Sequence, residues 1–77
     1  MREFENSVRW YSMEEFRRTF KVGDILRMMS GKTVLDVRVT AIGETRILYR
    51  LAVGVTVEKP ATITAYHWLK LPARPSL

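Results

Sequence analysis

Phe20-Lys21-Val22-Gly23-Asp24-Ile25-Leu26-Arg27-Met28-Met29-Ser30-Gly31 reads as a turn, a strand and a second turn. Gly23-Asp24 supplies a backbone that can take positive φ, Ile25 to Met29 can pair as a strand, and Ser30-Gly31 closes it. Three β-rich runs follow, so the stretch is the opening of a small β-barrel.

Downstream, the apolar period becomes two. Leu35, Val37, Val39 and Ala41 alternate with Val34, Asp36, Arg38 and Thr40, the pattern of a half-buried antiparallel strand. Gly43-Glu44-Thr45 is a turn, after which Ile47, Tyr49, Leu51 and Val53 face inward and Arg46, Leu48, Arg50 and Ala52 outward. Gly54 breaks that run. Val55-Thr56-Val57-Glu58 reads as a shorter strand and Lys59-Pro60 as a stop, because proline cannot donate to a ladder. Ala61 to Tyr66 is a further strand and His67 to Leu71 a last one, entered through a single helical turn, with Pro72 and Pro75 ending regular structure.

Upstream, Ser12-Met13-Glu14-Glu15 has the capping-box spacing, in which hydroxyl and carboxylate each satisfy an orphan amide of a first helical turn. Met13, Phe16 and Phe20 share one face of the helix that follows, and Gly23 ends it. The expected organisation is an arm at 1–11, a short helix at 12–22, a barrel at 23–71 and a tail at 72–77. Five short strands with turn signals suggest closure, which avoids sticky edges on so small a domain.

The block Phe20-x-x-Gly23-Asp24-x-x-Arg27-x-x-Ser30-Gly31 resembles the start of the plasmid-borne type II dihydrofolate reductases. It is similar also to several uncharacterised bacterial barrels. Ile63, with Leu69 six residues on, falls where the reductase family has its substrate-contacting strand and last barrel segment. The resemblance covers about residues 20–71 and implies a mainly β, five-stranded SH3-like barrel with a short N-terminal α-helix. In that family a homotetramer encloses a pore lined by a lysine, a glutamine, an isoleucine and a tyrosine of each chain. Ile63 matches the isoleucine, whereas Met28, Thr62 and Thr64 stand at the other three positions. Methionine in place of lysine removes attraction for an anionic cofactor and substrate. The resemblance therefore implies the barrel more than the activity, and the chain is read as non-enzymatic, with reductase activity a remote alternative and no cofactor.

Composition narrows the function classes. The 77 residues make one domain of marginal monomeric stability, and without cysteine there is neither disulfide nor thiolate metal site. Oligomerisation is the usual remaining support. The opening Met1-Arg2-Glu3-Phe4-Glu5-Asn6 has no signal-like apolar run, and Arg27, Arg38, Arg46 and Arg50 interrupt every hydrophobic stretch, so a cytoplasmic protein without membrane association is expected. Net charge is +5. The excess lies downstream of residue 28, where Lys32, Arg38, Arg46, Arg50, Lys59, Lys70 and Arg74 face only Asp36, Glu44 and Glu58. The carboxylates Asp24, Asp36, Glu44 and Glu58 are dispersed without metal-loop spacing, and no metal is assigned. His67, between Tyr66 and Trp68, is read as structural because no carboxylate lies near it in sequence to make it a base.

Arginine placement is the better functional signal. Pairing about a three-residue loop makes both apolar faces coincide and sets Arg38 opposite Arg50, with Arg46 further along the same face. A five-residue loop would oppose Thr40 to Arg50 instead. Facing arginines repel unless an anion sits between them, so Arg38, Arg46, Arg50 and Lys32 are the candidate nucleic-acid or anion contacts. The plain alternative is a solubilising face. Trp10, Tyr11 and the outward Leu48 are the candidate surface for a protein partner or a second copy, and burial is expected for Trp68.

Overall fold

The computed structural model describes residues 8–54 and 57–72. Its elements are β1 (Arg9–Trp10), α1 (Met13–Thr19), β2 (Ile25–Ser30), β3 (Thr33–Ile42), β4 (Arg46–Leu51), β5 (Lys59–Thr62), a 3₁₀ turn (Ile63–Ala65) and β6 (His67–Lys70). One antiparallel sheet contains all six strands in the order β1-β6-β2-β3-β4-β5. Among the described residues the protein is mainly β with one helix, as expected, but the sheet is open and has six strands rather than five. The sixth is β1, drawn from the supposed arm: Arg9 pairs with Trp68 and Trp10 with His67. The expected arm over 1–7, the Val55-Thr56 half of the predicted short strand, and the tail over 73–77 lie outside the described residues.

The capping box forms as the sequence dictates. Glu15 N–H donates to Ser12 Oγ at 3.1 Å, and Ser12 N–H donates to the Glu15 carboxylate at 3.2 Å. Helix α1 nevertheless stops at Thr19, earlier than the expected limit at Val22, because Phe20 turns extended (φ −117°, ψ 157°) to bury its ring. Gly23 serves a separate turn. Lys21 N–H donates to Asp24 Oδ2 and Asp24 N–H to the Lys21 carbonyl, both at 3.0 Å, while Gly23 takes φ 98°, a left-handed value that side chains disfavour.

The core lies between α1 and the inward face of the sheet. Trp68, Phe16, Leu26, Met28, Val37, Val39, Ile47 and Ile63 are its wholly buried members. Phe16 meets Trp68 edge-on at 4.9 Å and Phe20 at 4.8 Å, and Tyr11 meets Phe20 at 4.9 Å. Trp68 also donates its indole N–H to the Ile63 carbonyl at 2.9 Å, tying β6 to the 3₁₀ turn on which α1 rests. Of the positions the resemblance bears on, Met28 and Ile63 are buried in this core, Thr62 is exposed and Thr64 half-buried.

Three local expectations are corrected. Proline does not stop β5. Pro60 sits inside it opposite Leu48, which is tolerated because, among the described residues, β5 is an edge strand with no outer partner awaiting an N–H. Ala61 to Tyr66 is not one strand, since the chain leaves β5 at Thr62 and coils through Ile63–Ala65 before β6. Leu51 and Val53 were expected inward but are 39% and 82% exposed. Strand β4 ends at Leu51, and β5 accompanies it no further than the Tyr49–Lys59 pair, so nothing described covers this rim.

Candidate anion-binding face

Residues directly opposite in an antiparallel ladder share a sheet face, and so do residues two apart along a strand. The β3–β4 register pairs Val37 with Leu51, Arg38 with Arg50 and Val39 with Tyr49, the pairing expected from the sequence. Beyond Val39 a bulge at Thr40 shifts it, so that Ala41 opposes Leu48 and Ile42 opposes Ile47. Ile42 thereby replaces Ala41 beside the core. The bulged Thr40 donates its hydroxyl proton to the Glu58 carboxylate.

Arg38 and Arg50 thus stand on neighbouring strands with backbones about 5 Å apart, facing away from the core. Leu48 and Arg46 follow on the same face of β4, Arg46 roughly 13 Å from Arg50 at the rise of an antiparallel strand. Lys32 is not brought to them. It occupies the β2–β3 turn, roughly 20 Å along β3 from Arg38. Among the described residues, none of Arg38, Arg46, Arg50 and Lys32 forms an ion pair. Arg38 makes only a long contact, 3.5 Å, to the Gly23 carbonyl.

The sequence reading omits Lys70 from this region. With Arg38, Asp24, Gly23 and Leu71 it lines a groove at the end of β2, its ammonium 3.7 Å from the Asp24 carboxylate. The β2–β6 register sets Lys70 opposite the buried Leu26, on the core side of the sheet rather than on the Arg38–Arg50 face, so it meets Arg38 only at the rim of this groove.

Of the expected interaction surface, Trp10 and Leu48 are exposed, and Tyr11 is not. Its ring packs in the aromatic core against Phe16 and Phe20 with Arg9 over one face at 4.1 Å, so it is a structural residue. His67 departs from its structural reading in the other direction. It lies exposed on β6, opposite Trp10 on one side and Met29 on the other.

Between these features Arg27 of β2 pairs with Asp36 of β3. Nε donates to Oδ1 at 2.8 Å and Nη2 to Oδ2 at 3.2 Å, a two-pronged clamp. Hydrogen bonding from Arg27, reinforced by its charge and opposed by partial desolvation, holds the Asp36 carboxyl below its ordinary range, and the same bond holds Arg27 above its own. A carboxyl depressed in the folded state stabilises above its unfolded pKa, and that contribution is lost as pH falls through the folded value. Both side chains are about two-fifths exposed, so solvent screening keeps the contribution small. Asp36→Asn should therefore slightly shallow the acid limb of a stability-versus-pH profile, read by urea unfolding. An unchanged limb would remove the pair from the account.

No protein-family model, curated protein or solved structure matches this chain.

Among the described residues, no helix is long and apolar enough to cross a membrane.

Proposed function

We propose that this chain is a small non-enzymatic binding module whose outer β3–β4 face takes a polyanion, with nucleic acid the ligand class. The observation that carries the reading is the direct opposition of Arg38 and Arg50 with no described carboxylate paired to either. Like charges facing across a ladder are destabilising, and a phosphate oxygen between the two guanidiniums converts that repulsion into charge-assisted hydrogen bonds. Arg46 extends the face along β4. Contacts of this type read the backbone rather than base edges, so affinity should depend strongly on salt and weakly on sequence.

Supporting the SH3-like barrel part of the reading are the strand order β6-β2-β3-β4-β5, the 3₁₀ turn that links β5 to β6, and the helix packed on that turn. The Ile63 N–H also donates to the Thr45 carbonyl at 3.0 Å, carrying the β4–β5 pairing one residue past Arg46–Thr62 as the chain enters the 3₁₀ turn. The non-enzymatic part rests on the lone histidine, which makes no hydrogen bond to a described carboxylate.

The test is fluorescence anisotropy of labelled DNA and RNA oligonucleotides across a salt series. Three backbone contacts predict a slope near −2 in log affinity against log salt for a single strand, which is roughly a fifteen- to twentyfold loss between about 50 and 200 mM. No binding to any oligonucleotide at about 50 mM salt would end the reading.

A further inference from the structure

We propose that the ligand is single-stranded, with a base stacked on Trp10 beside His67 while its backbone is held at Arg38 and Arg50, an inference that rests on the reading above. The register places these groups on one surface. Trp10 opposes His67, His67 opposes Met29 and Met29 opposes Val34, one continuous row across β1, β6, β2 and β3. Ile25 opposes Arg38 and Arg38 opposes Arg50, a second row. Ile25, Arg27 and Met29 alternate on β2, so both rows face the same way.

The aromatic row is built for contact rather than for burial. Trp10 is 49% exposed, yet its indole N–H donates to the Thr64 carbonyl at 3.1 Å, so the ring is held in place with half of it in water. A ring already fixed loses little conformational entropy on stacking, and an imidazole alongside adds a second planar surface. The row continues through Met29, half-buried, and Val34, also 49% exposed.

Between the rows lies Leu69-Arg27-Asp36. The clamp between Arg27 and Asp36 cancels the one carboxylate on the way, so a phosphate chain crosses without repulsion. Four residues along β2 and three strand spacings separate the arginine pair from Trp10, roughly 20 Å in all, the reach of a few nucleotides of extended single strand. A duplex fits poorly. Its bases are stacked on one another and offer no face to a flat ring, whereas every unpaired base does. Charge complementarity with the unpaired arginines selects this anionic occupant over an apolar partner for the row.

Two tryptophans make the test direct, since Trp68 is wholly buried and Trp10 is not. Titrating oligothymidylate into the native protein at about 50 mM salt should quench emission. In Trp10→Phe the residual emission, from Trp68, should not respond. Trp10→Ala, first checked by urea unfolding to fold as the native chain does, should bind roughly five- to hundredfold more weakly with an unaltered salt slope, because a stacking contact and no phosphate contact is lost. Duplex of the same sequence should not quench. Salt-dependent binding without quenching, or with Trp10→Ala matching the native affinity, would overturn this inference and leave the polyanion reading standing. Sedimentation in which Trp10→Ala dissolves a self-associated native species while oligonucleotide affinity is unchanged would also overturn it. Absence of binding altogether would overturn both.

Discussion

Replacing Trp68 by alanine is expected to leave the chain largely unfolded at 25 °C. Truncating a buried tryptophan costs about 3–5 kcal/mol, and a domain of this size has about 4–12 kcal/mol in total at typical per-residue stability. Small domains fall toward the low end of that range. The loss is concentrated because Trp68 serves three elements at once. Its ring is the edge-on partner of Phe16 in α1, it lies opposite Met28 of β2, and its indole N–H supplies the donor for the Ile63 carbonyl in the 3₁₀ turn. Trp68→Phe separates packing from hydrogen bonding. It keeps an aromatic ring against Phe16 but strands a buried carbonyl, at a cost of about 1–3 kcal/mol. Urea unfolding followed by circular dichroism measures both. A cooperative Trp68→Ala transition displaced by less than about 1 kcal/mol would show that the core is held elsewhere.

The elements legible in advance were those specified by neighbours a few residues apart. Ser12 and Glu15 announce the helix start through two reciprocal bonds, and period-two alternation from Leu35 to Val39 fixes which side of β3 is buried. Where non-local pairing decides, the local pattern is silent. The residues Val39-Thr40-Ala41-Ile42 are apolar in both phases, so nothing in them announces the bulge at Thr40 that exchanges Ala41 for Ile42. Pro60 reads as a terminator because its missing donor matters only if a strand lies on its outer side, and none is described there. A two-residue β1 carries no periodicity at all. It exists because β6 presents a free edge to Arg9 and Trp10.

The candidate site divides along the same line. Arg38 opposite Arg50 follows from matching two apolar faces, although the loop end of the hairpin pairs Ile42 with Ile47, one residue off that register, and the bulge at Thr40 is what restores it. The aromatic half was not legible, because Tyr11 and Trp10 are adjacent in sequence yet have opposite fates. Tyr11 begins the turn into α1 and swings under Phe20, while Trp10 is still in β1 and points to the other side of the sheet. His67 looked structural for want of a sequence neighbour, and its row partners Trp10 and Met29 come from two other strands.

The double replacement Arg38→Gln/Arg50→Gln is expected to weaken oligonucleotide binding roughly ten- to a hundredfold at about 50 mM salt and to shrink the salt slope by about 1.4, two single-strand phosphate contacts' worth. General damage to the fold would lower affinity too, and stability has the opposite sign here. Like charges facing across a ladder cost about 0.2–1 kcal/mol, so Arg50→Gln alone should raise unfolding stability by a few tenths, more at low ionic strength where the repulsion is unscreened. Asp36→Asn reverses both signs. It releases the Arg27 guanidinium from its clamp into the path between the two rows, so affinity and salt slope should rise while the pair's small contribution to stability disappears. A damaged fold cannot produce a more stable, weaker binder from one substitution and a less stable, tighter binder from the other. Binding by Arg38→Gln/Arg50→Gln with native affinity and native slope would remove the arginine pair from the interface, whatever else the chain then binds.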